Sequence, residues 1–137
     1  MNAPAAPQQI DRLQRAERQA EVVRALQPLL PAHTLLWQSE DTIPYECDGL
    51  TAYRERPLVV ALPENEAQVA AVLKACHALG VPVVARGAGT GLSGGAMPHA
   101  MGVVLSLAKF NRIQAIDPRA RTATVQAGVR NLAISEA

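Results

Sequence analysis

From residue 58 onward short apolar runs alternate with amphipathic stretches, the rhythm of strands interleaved with helices. Residues 58–62, Leu-Val-Val-Ala-Leu, form an unbroken apolar run between prolines, the pattern of a buried parallel strand. Asn65 then offers a side-chain oxygen to a helix N-terminus, with Gln68 placed to complete a capping box. Val69, Val72, Leu73, Cys76 and Leu79 share one helical face over 64–79, and Gly80 stops the helix. Residues 81–85 are again apolar and β-branched, completing a β-α-β unit of expected right-handed sense.

Further strands are predicted over 103–107, 113–117 and 122–127, the last two joined by a turn at Pro118-Arg119-Ala120-Arg121. Thr122, Thr124 and Gln126 alternate with Ala123, Val125 and Ala127, which predicts a strand with one wet face. Residues 129–137 open a helix with Asn131 as its candidate cap. The pattern breaks off within two turns, so a domain truncated at its C-terminus is expected. Upstream, Ile10, Leu13, Ala16, Ala20, Val23, Leu26 and Leu30 recur at helical spacing and predict an amphipathic helix over about 10–29. A short Pro/Ala tail precedes it. Residues 31–57 carry the breakers Pro44, Asp48-Gly49 and Pro57 and read as mostly irregular. Asp48 reads first as a solvated Asp-Gly turn, with acceptance of a bond from a ligand as the rarer alternative.

Composition narrows the function. Net charge is +1, from 13 basic and 12 acidic residues, and aromatics make up only 3%. There is no basic stripe with interleaved aromatics, so nucleic-acid binding is unsupported. No apolar run approaches membrane-spanning length. The expected compartment is the cytoplasm. Cys47 and Cys76 are not a Cys-x-x-Cys pair and read as structural thiols. His33, His77 and His99 have no metal-ligand spacing, so neither a metal site nor a catalytic residue is assigned.

The candidate chemistry lies in residues 86–95, Arg-Gly-Ala-Gly-Thr-Gly-Leu-Ser-Gly-Gly, which hold five of the nine glycines. They follow a predicted strand. Glycine permits positive φ and close backbone approach, and successive free N–H groups form a concave anion nest. Gly89-Thr90-Gly91-Leu92-Ser93-Gly94 satisfies a bare G-x-G-x-x-G pattern, but Pro98 and the next strand leave no room for the helix that motif needs. A Walker loop is excluded because no lysine occurs between Lys74 and Lys109. Asp117, near the spacing of a ribose-binding acid, reads better as a turn residue before Pro118. What remains is a loop between strands that cradles a diphosphate with backbone amides, helped by Arg86, Thr90 and Ser93. A wide structural turn is the plain alternative.

The ordered set Pro57-Leu58-Val59-Val60, Leu62-Pro63, the 64–79 helix, the 82–95 run, Gly102-Val103-Val104 and Val125-Gln126-Ala127-Gly128-Val129 resembles the FAD-binding module of the vanillyl-alcohol oxidase superfamily, the PCMH-type domain. Pro44-Tyr45-Glu46-Cys47-Asp48-Gly49-Leu50 and residues 128–135 look like the FAD-linked subunits of bacterial glycolate oxidases. The resemblance implies an α+β fold: a β-α-β unit followed by further strands, the first subdomain of that module. It also implies a division into a tail and helix over 1–39 and a partial FAD-binding domain over 40–137. The implied FAD contacts are Pro63, Arg86, Gly87, Ala88, Gly89, Thr90, Gly91, Ser93, Gly94, Gly95 and Gly128. Some relatives attach FAD through a histidine where this chain has Thr90, so non-covalent FAD is implied.

The implied activity is a 2-hydroxyacid oxidoreductase resembling glycolate oxidase, with hydride transfer from glycolate to FAD. A D-lactate or other 2-hydroxyacid dehydrogenase and a non-catalytic fragment are the alternatives. The implied partners are a small 2-hydroxyacid, a second flavin-type subunit and an iron–sulfur subunit. Any membrane association would be peripheral, through those subunits. The family's second FAD subdomain, substrate cap and catalytic base have no counterpart here, so the 137-residue chain alone is expected to be inactive.

Overall fold

The computed structural model describes residues 7–137. In chain order it contains α1 (Pro7–Leu26), β1 (Leu35–Leu36), α2 (Ser39–Thr42), β2 (Val59–Ala61), α3 (Glu66–Leu79), β3 (Val83–Arg86), β4 (Val103–Ser106), β5 (Ile113–Asp117), β6 (Thr122–Val125) and α4 (Asn131–Glu136). Of the expected Pro/Ala tail over residues 1–9, residues 1–6 lie outside the described residues, and residues 7–9 already belong to α1. The architecture is the expected mixed one: a β-α-β unit, then further strands.

Four strands form a sheet in the order β1-β2-β4-β3. β2 and β3 both run parallel to β4, while β1 pairs antiparallel with β2 at the edge. The β2-α3-β3 unit is therefore split, with β4 inserted between its two strands. All four β4 residues are buried, as an apolar central parallel strand requires. No helix connects β3 to β4. Residues 87–102 alone carry the chain from one end of the sheet back to the other, and the glycine loop is the first part of that return.

The core gathers Val59, Ala61, Val103 and Leu105 from the sheet, Val72 and Cys76 from α3, and Val22 and Leu26 from α1. Leu35 belongs to the same cluster, so the division expected at residue 39 runs through one hydrophobic core. The face that α1 buries differs from the expected stripe. Leu13, Ala16 and Ala20 are exposed, whereas Val22, Val23 and Leu26 are buried. The first half of α1 is held by polar contacts: Arg15 donates to the carbonyls of Arg56 (2.9 Å), Pro57 (3.0 Å) and Ala100. Gln19 donates to Leu58 (2.7 Å) and Trp37 (3.1 Å). Long polar side chains with carbonyl acceptors outcompete small apolar ones for this face. Burial lowers the Arg15 pKa, with Glu55 opposing that shift.

α3 forms as its caps predict. The Asn65 side chain accepts from the Gln68 N–H at 3.0 Å, and Gly80 closes the helix at φ 62°. Gln68 reaches back to the Glu64 N–H (2.7 Å), one residue earlier than in a standard capping box. Leu73 departs from the buried stripe and is 44% exposed. Burial pushes the Cys76 thiol up, which suits a small core hydrophobe. β5 and β6 pair as the predicted hairpin, and Asp117 Oδ1 accepts from the N–H groups of Arg119 and Ala120, which makes it a turn residue. The expected wet and dry faces of β6 do not separate: Thr122, Ala123 and Thr124 are all exposed, because no described layer packs on the hairpin. Asn131 is the first residue of α4 rather than its cap, and Arg130 takes the cap position without a side-chain bond.

Candidate functional site

The glycine loop leaves β3 at the carboxyl end of the parallel strands, the usual ligand side of an open α/β sheet. It rests on the segment over residues 44–50, which begins in a 3-10 turn at Ile43–Tyr45 and is otherwise irregular. Asp48, 4% exposed, accepts from the Gly94 N–H through Oδ2 (2.8 Å) and from the Leu50 N–H through Oδ1 (2.9 Å). The Gly49 N–H donates to the Gly91 carbonyl at 2.9 Å. A Cβ at Gly49 would lie 2.9 Å from the carbonyl oxygens of both Thr90 and Gly91, so only glycine allows this approach. Arg86 Nη1 donates to the Cys47 carbonyl at 2.6 Å, and its guanidinium sits 5.5 Å from the centre of the Tyr45 ring.

The expected site residues separate into groups. Gly89 (φ 73°) and Gly94 (φ 76°) adopt the left-handed backbone that makes the loop turn, and the Arg86 guanidinium fills the place a Gly89 side chain would need. Gly91 and Gly95 face open space. Gly87 and Gly128 are packing positions: a Cβ at Gly87 would lie 2.8 Å from the Ala127 carbonyl, and one at Gly128 would strike the Leu107 and Phe110 carbonyls. Thr90 and Ser93 are exposed on the loop. Pro63 is fully buried and presents no surface to a ligand, so its expected contact is not made by its side chain.

Ala88 and Gly128 are brought together on one cleft of about 390 Å³, whose wall also includes Ala108, Asn111, Val129 and Arg130. The cleft has no histidine and no carboxylate in its lining, so it offers no general base. Among the described residues neither Arg86 nor Arg130 lies within ion-pair range of a carboxylate. Both therefore keep an uncompensated positive charge on this side of the molecule. A second, polar hollow lies at the start of α3, where Lys109 Nζ meets Glu64 Oε1 at 2.7 Å. That hydrogen bond, with His33 nearby, holds the Glu64 carboxyl below its ordinary range.

Within the loop, the N–H groups of residues 88–93 donate to no acceptor among the described residues. Six successive backbone donors in a glycine-rich loop, backed by a braced cation, match what a diphosphate requires. A family model described as "FAD binding domain" matches residues 57–137.

The chain belongs to the FAD-binding domain family.

It is 58% identical over 116 residues to the glycolate oxidase subunit GlcD of Escherichia coli strain K12, covering 85% of this chain and 23% of that protein. It is 45% identical over 71 residues to a D-lactate dehydrogenase of Archaeoglobus fulgidus, covering 52% of this chain and 16% of that protein. Among solved structures, p-cresol methylhydroxylase with substrate bound matches with a TM-score of 0.76 at 25% identity, over 88% of this chain and 24% of that one. The chain thus spans less than a quarter of the length of these proteins.

FAD is the cofactor of such a domain, and the residues present fit it. Among the described residues, residues 88–93 keep unused donors, Gly91 and Gly95 leave open space over the backbone, and the one carboxylate bonded to the loop has both oxygens occupied. One residue at the loop departs from its sequence reading. Asp48 reads in sequence mainly as a solvated turn, yet it is buried and bonded to the loop. Its only sequence signal was an Asp-Gly pair inside the 44–50 segment that carried part of the resemblance.

Proposed function

We propose that this chain supplies the FAD-diphosphate cradle of a 2-hydroxyacid oxidoreductase of the glycolate oxidase type. The observation that carries the reading is the run of six unpartnered amides at the carboxyl end of β3. The 58% identity to a glycolate oxidase subunit supports the choice of reaction. Bound FAD would supply the two-electron acceptor for dehydrogenation of the substrate. The chain's own part is to hold the cofactor: the loop amides and the Arg86 charge take the diphosphate, and Gly91 and Gly95 allow its close approach. No residue here would attach FAD covalently at the loop, where Thr90 stands, so the cofactor is held by non-covalent contacts.

Pro63, Gly87 and Gly128 act behind the cradle, as packing that sets the backbone. The substrate is a small 2-hydroxyacid, and proton transfer belongs to residues outside the cleft described here, whose lining has no base. The working enzyme would join a second flavin-type subunit and an iron–sulfur subunit that carries the electrons onward. No helix of the described residues is long and apolar enough to cross a membrane. The location that goes with this reading is the cytoplasm, with any membrane association through the partner subunits. The match to a D-lactate dehydrogenase favours a second reading, a larger 2-hydroxyacid as substrate.

Titration of the chain with FAD, followed by flavin fluorescence quenching with circular dichroism on the same sample, tests the cradle. Saturable quenching by a folded chain is expected. A folded chain that leaves flavin fluorescence unchanged at high micromolar FAD would overturn the assignment of the loop. Comparing turnover of glycolate and D-lactate by the assembled enzyme then separates the two substrate readings.

A further inference from the structure

We propose that Asp48 is a positioning residue for the cofactor, its carboxylate holding the glycine loop in the shape that leaves the amides of residues 88–93 free for the diphosphate. The inference rests on the FAD reading above and assigns the loop's shape to a residue outside the loop. A buried carboxylate is unfavourable unless its charge is compensated. Asp48 is 4% exposed, and no Lys or Arg forms an ion pair with it among the described residues. Its compensation is two backbone N–H groups, one local at Leu50 and one 46 positions away at Gly94.

The second bond fixes a residue at φ 76°, at the far end of the run of free donors. Gly49, the next residue, fixes the Gly91 carbonyl from the same side. At the near end, Arg86 ties the loop's entrance to the Cys47 carbonyl. Three successive residues, Cys47, Asp48 and Gly49, thus grip the loop at its start, end and middle. Of these contacts only the one from Asp48 is charge-assisted on the loop's own N–H, the stronger class of hydrogen bond. A diphosphate needs its donors already converged, because ordering a glycine-rich loop on binding is entropically unfavourable. Asp48 does that ordering before the cofactor arrives.

The test is Asp48→Asn in the full chain, read by amide hydrogen exchange without FAD and by FAD titration. The substituted amide matches the carboxylate in size, but it must turn an NH2 group toward one of the two backbone donors. Exchange at the Gly94 amide should speed up by at least tenfold, toward the rate of the unpartnered amides of residues 88–93, while the α3 amides keep their protection. FAD binding should weaken roughly 10- to 100-fold, the range spanned by one hydrogen bond to a charged group. Unchanged Gly94 exchange would overturn the proposal, and so would faster Gly94 exchange with unchanged FAD affinity. Should Asp48→Asn lose the fold, exchange of the unmodified chain decides: a Gly94 amide as fast as those of residues 88–93 refutes the clamp. A folded, unmodified chain that fails to bind FAD while its Gly94 amide stays protected would instead refute the FAD reading, so the two failures are distinguishable.

Discussion

The glycines expected at the cofactor look alike in sequence, but at the residue scale they have different tasks. Gly91 has open space where a side chain would stand, whereas Gly128 is pressed against the Leu107 and Phe110 carbonyls and donates its own N–H to Phe110 at 2.8 Å. Gly91→Val should therefore spare the fold and block the cofactor: FAD affinity should fall at least tenfold, with a melting temperature close to that of the unmodified chain. Gly128→Ala should do the reverse. Overpacking against fixed backbone costs about 1–3 kcal/mol, a loss of roughly 5 °C or more in a chain of this size. Thermal melts and FAD titrations of both variants check the pair. A Gly91→Val chain that melts as early as Gly128→Ala would make the loop a folding element rather than a cradle. The sequence disclosed the cluster of glycines but not this division, because which glycine meets a carbonyl depends on the distant segments at 107–110 and 127 folding against the loop.

At the scale of elements, what is local in cause was legible and what is tertiary was not. α3 begins and ends where Asn65 and Gly80 place it, because an N-cap bond and a left-handed C-terminal residue act within a few positions. Asn65→Ala should accordingly destabilise the chain by about 1 kcal/mol. A drop of a few degrees in the thermal melt, with FAD affinity retained by the folded fraction, would confirm it, and an unchanged melt would show the cap to be idle. β2 and β4 were equally readable as apolar runs. Their adjacency was not: the insertion of β4 between β2 and β3 is a choice among strand orders that all bury the same valines. The first half of α1 departs from its periodicity for a related reason. Periodicity ranks side chains by polarity, but Arg15 and Gln19 face inward because carbonyls of residues 37, 56, 57, 58 and 100 wait there as acceptors. Asp48 was undervalued in the same way. Its charge predicts solvent, and only the tertiary approach of the Gly94 N–H makes burial possible.

For the whole molecule, the consequence is that cofactor cradle and N-terminal helix stand on one core. Leu26 is fully buried among Val59, Val72 and Val103, so α1 is a wall of the structure that carries the loop. Leu26→Ala should cost about 2–5 kcal/mol through lost burial and the cavity left behind. That is a large share of the marginal stability of a single small domain, on the order of 5–15 kcal/mol. The cradle itself is untouched by this change, so folded Leu26→Ala molecules should still bind FAD. A ligand that binds only the folded state adds stability by mass action, about 2.7 kcal/mol at 100 times its Kd. Excess FAD should therefore restore much of the melting temperature lost in Leu26→Ala, while Gly91→Val, stable but with a blocked cradle, should gain little. Differential scanning of the two variants with and without FAD reads both halves of the argument together. Recovery in Leu26→Ala alone places stability in the core and binding in the loop, whereas equal gains in both variants would mean that FAD binds somewhere other than the glycine loop.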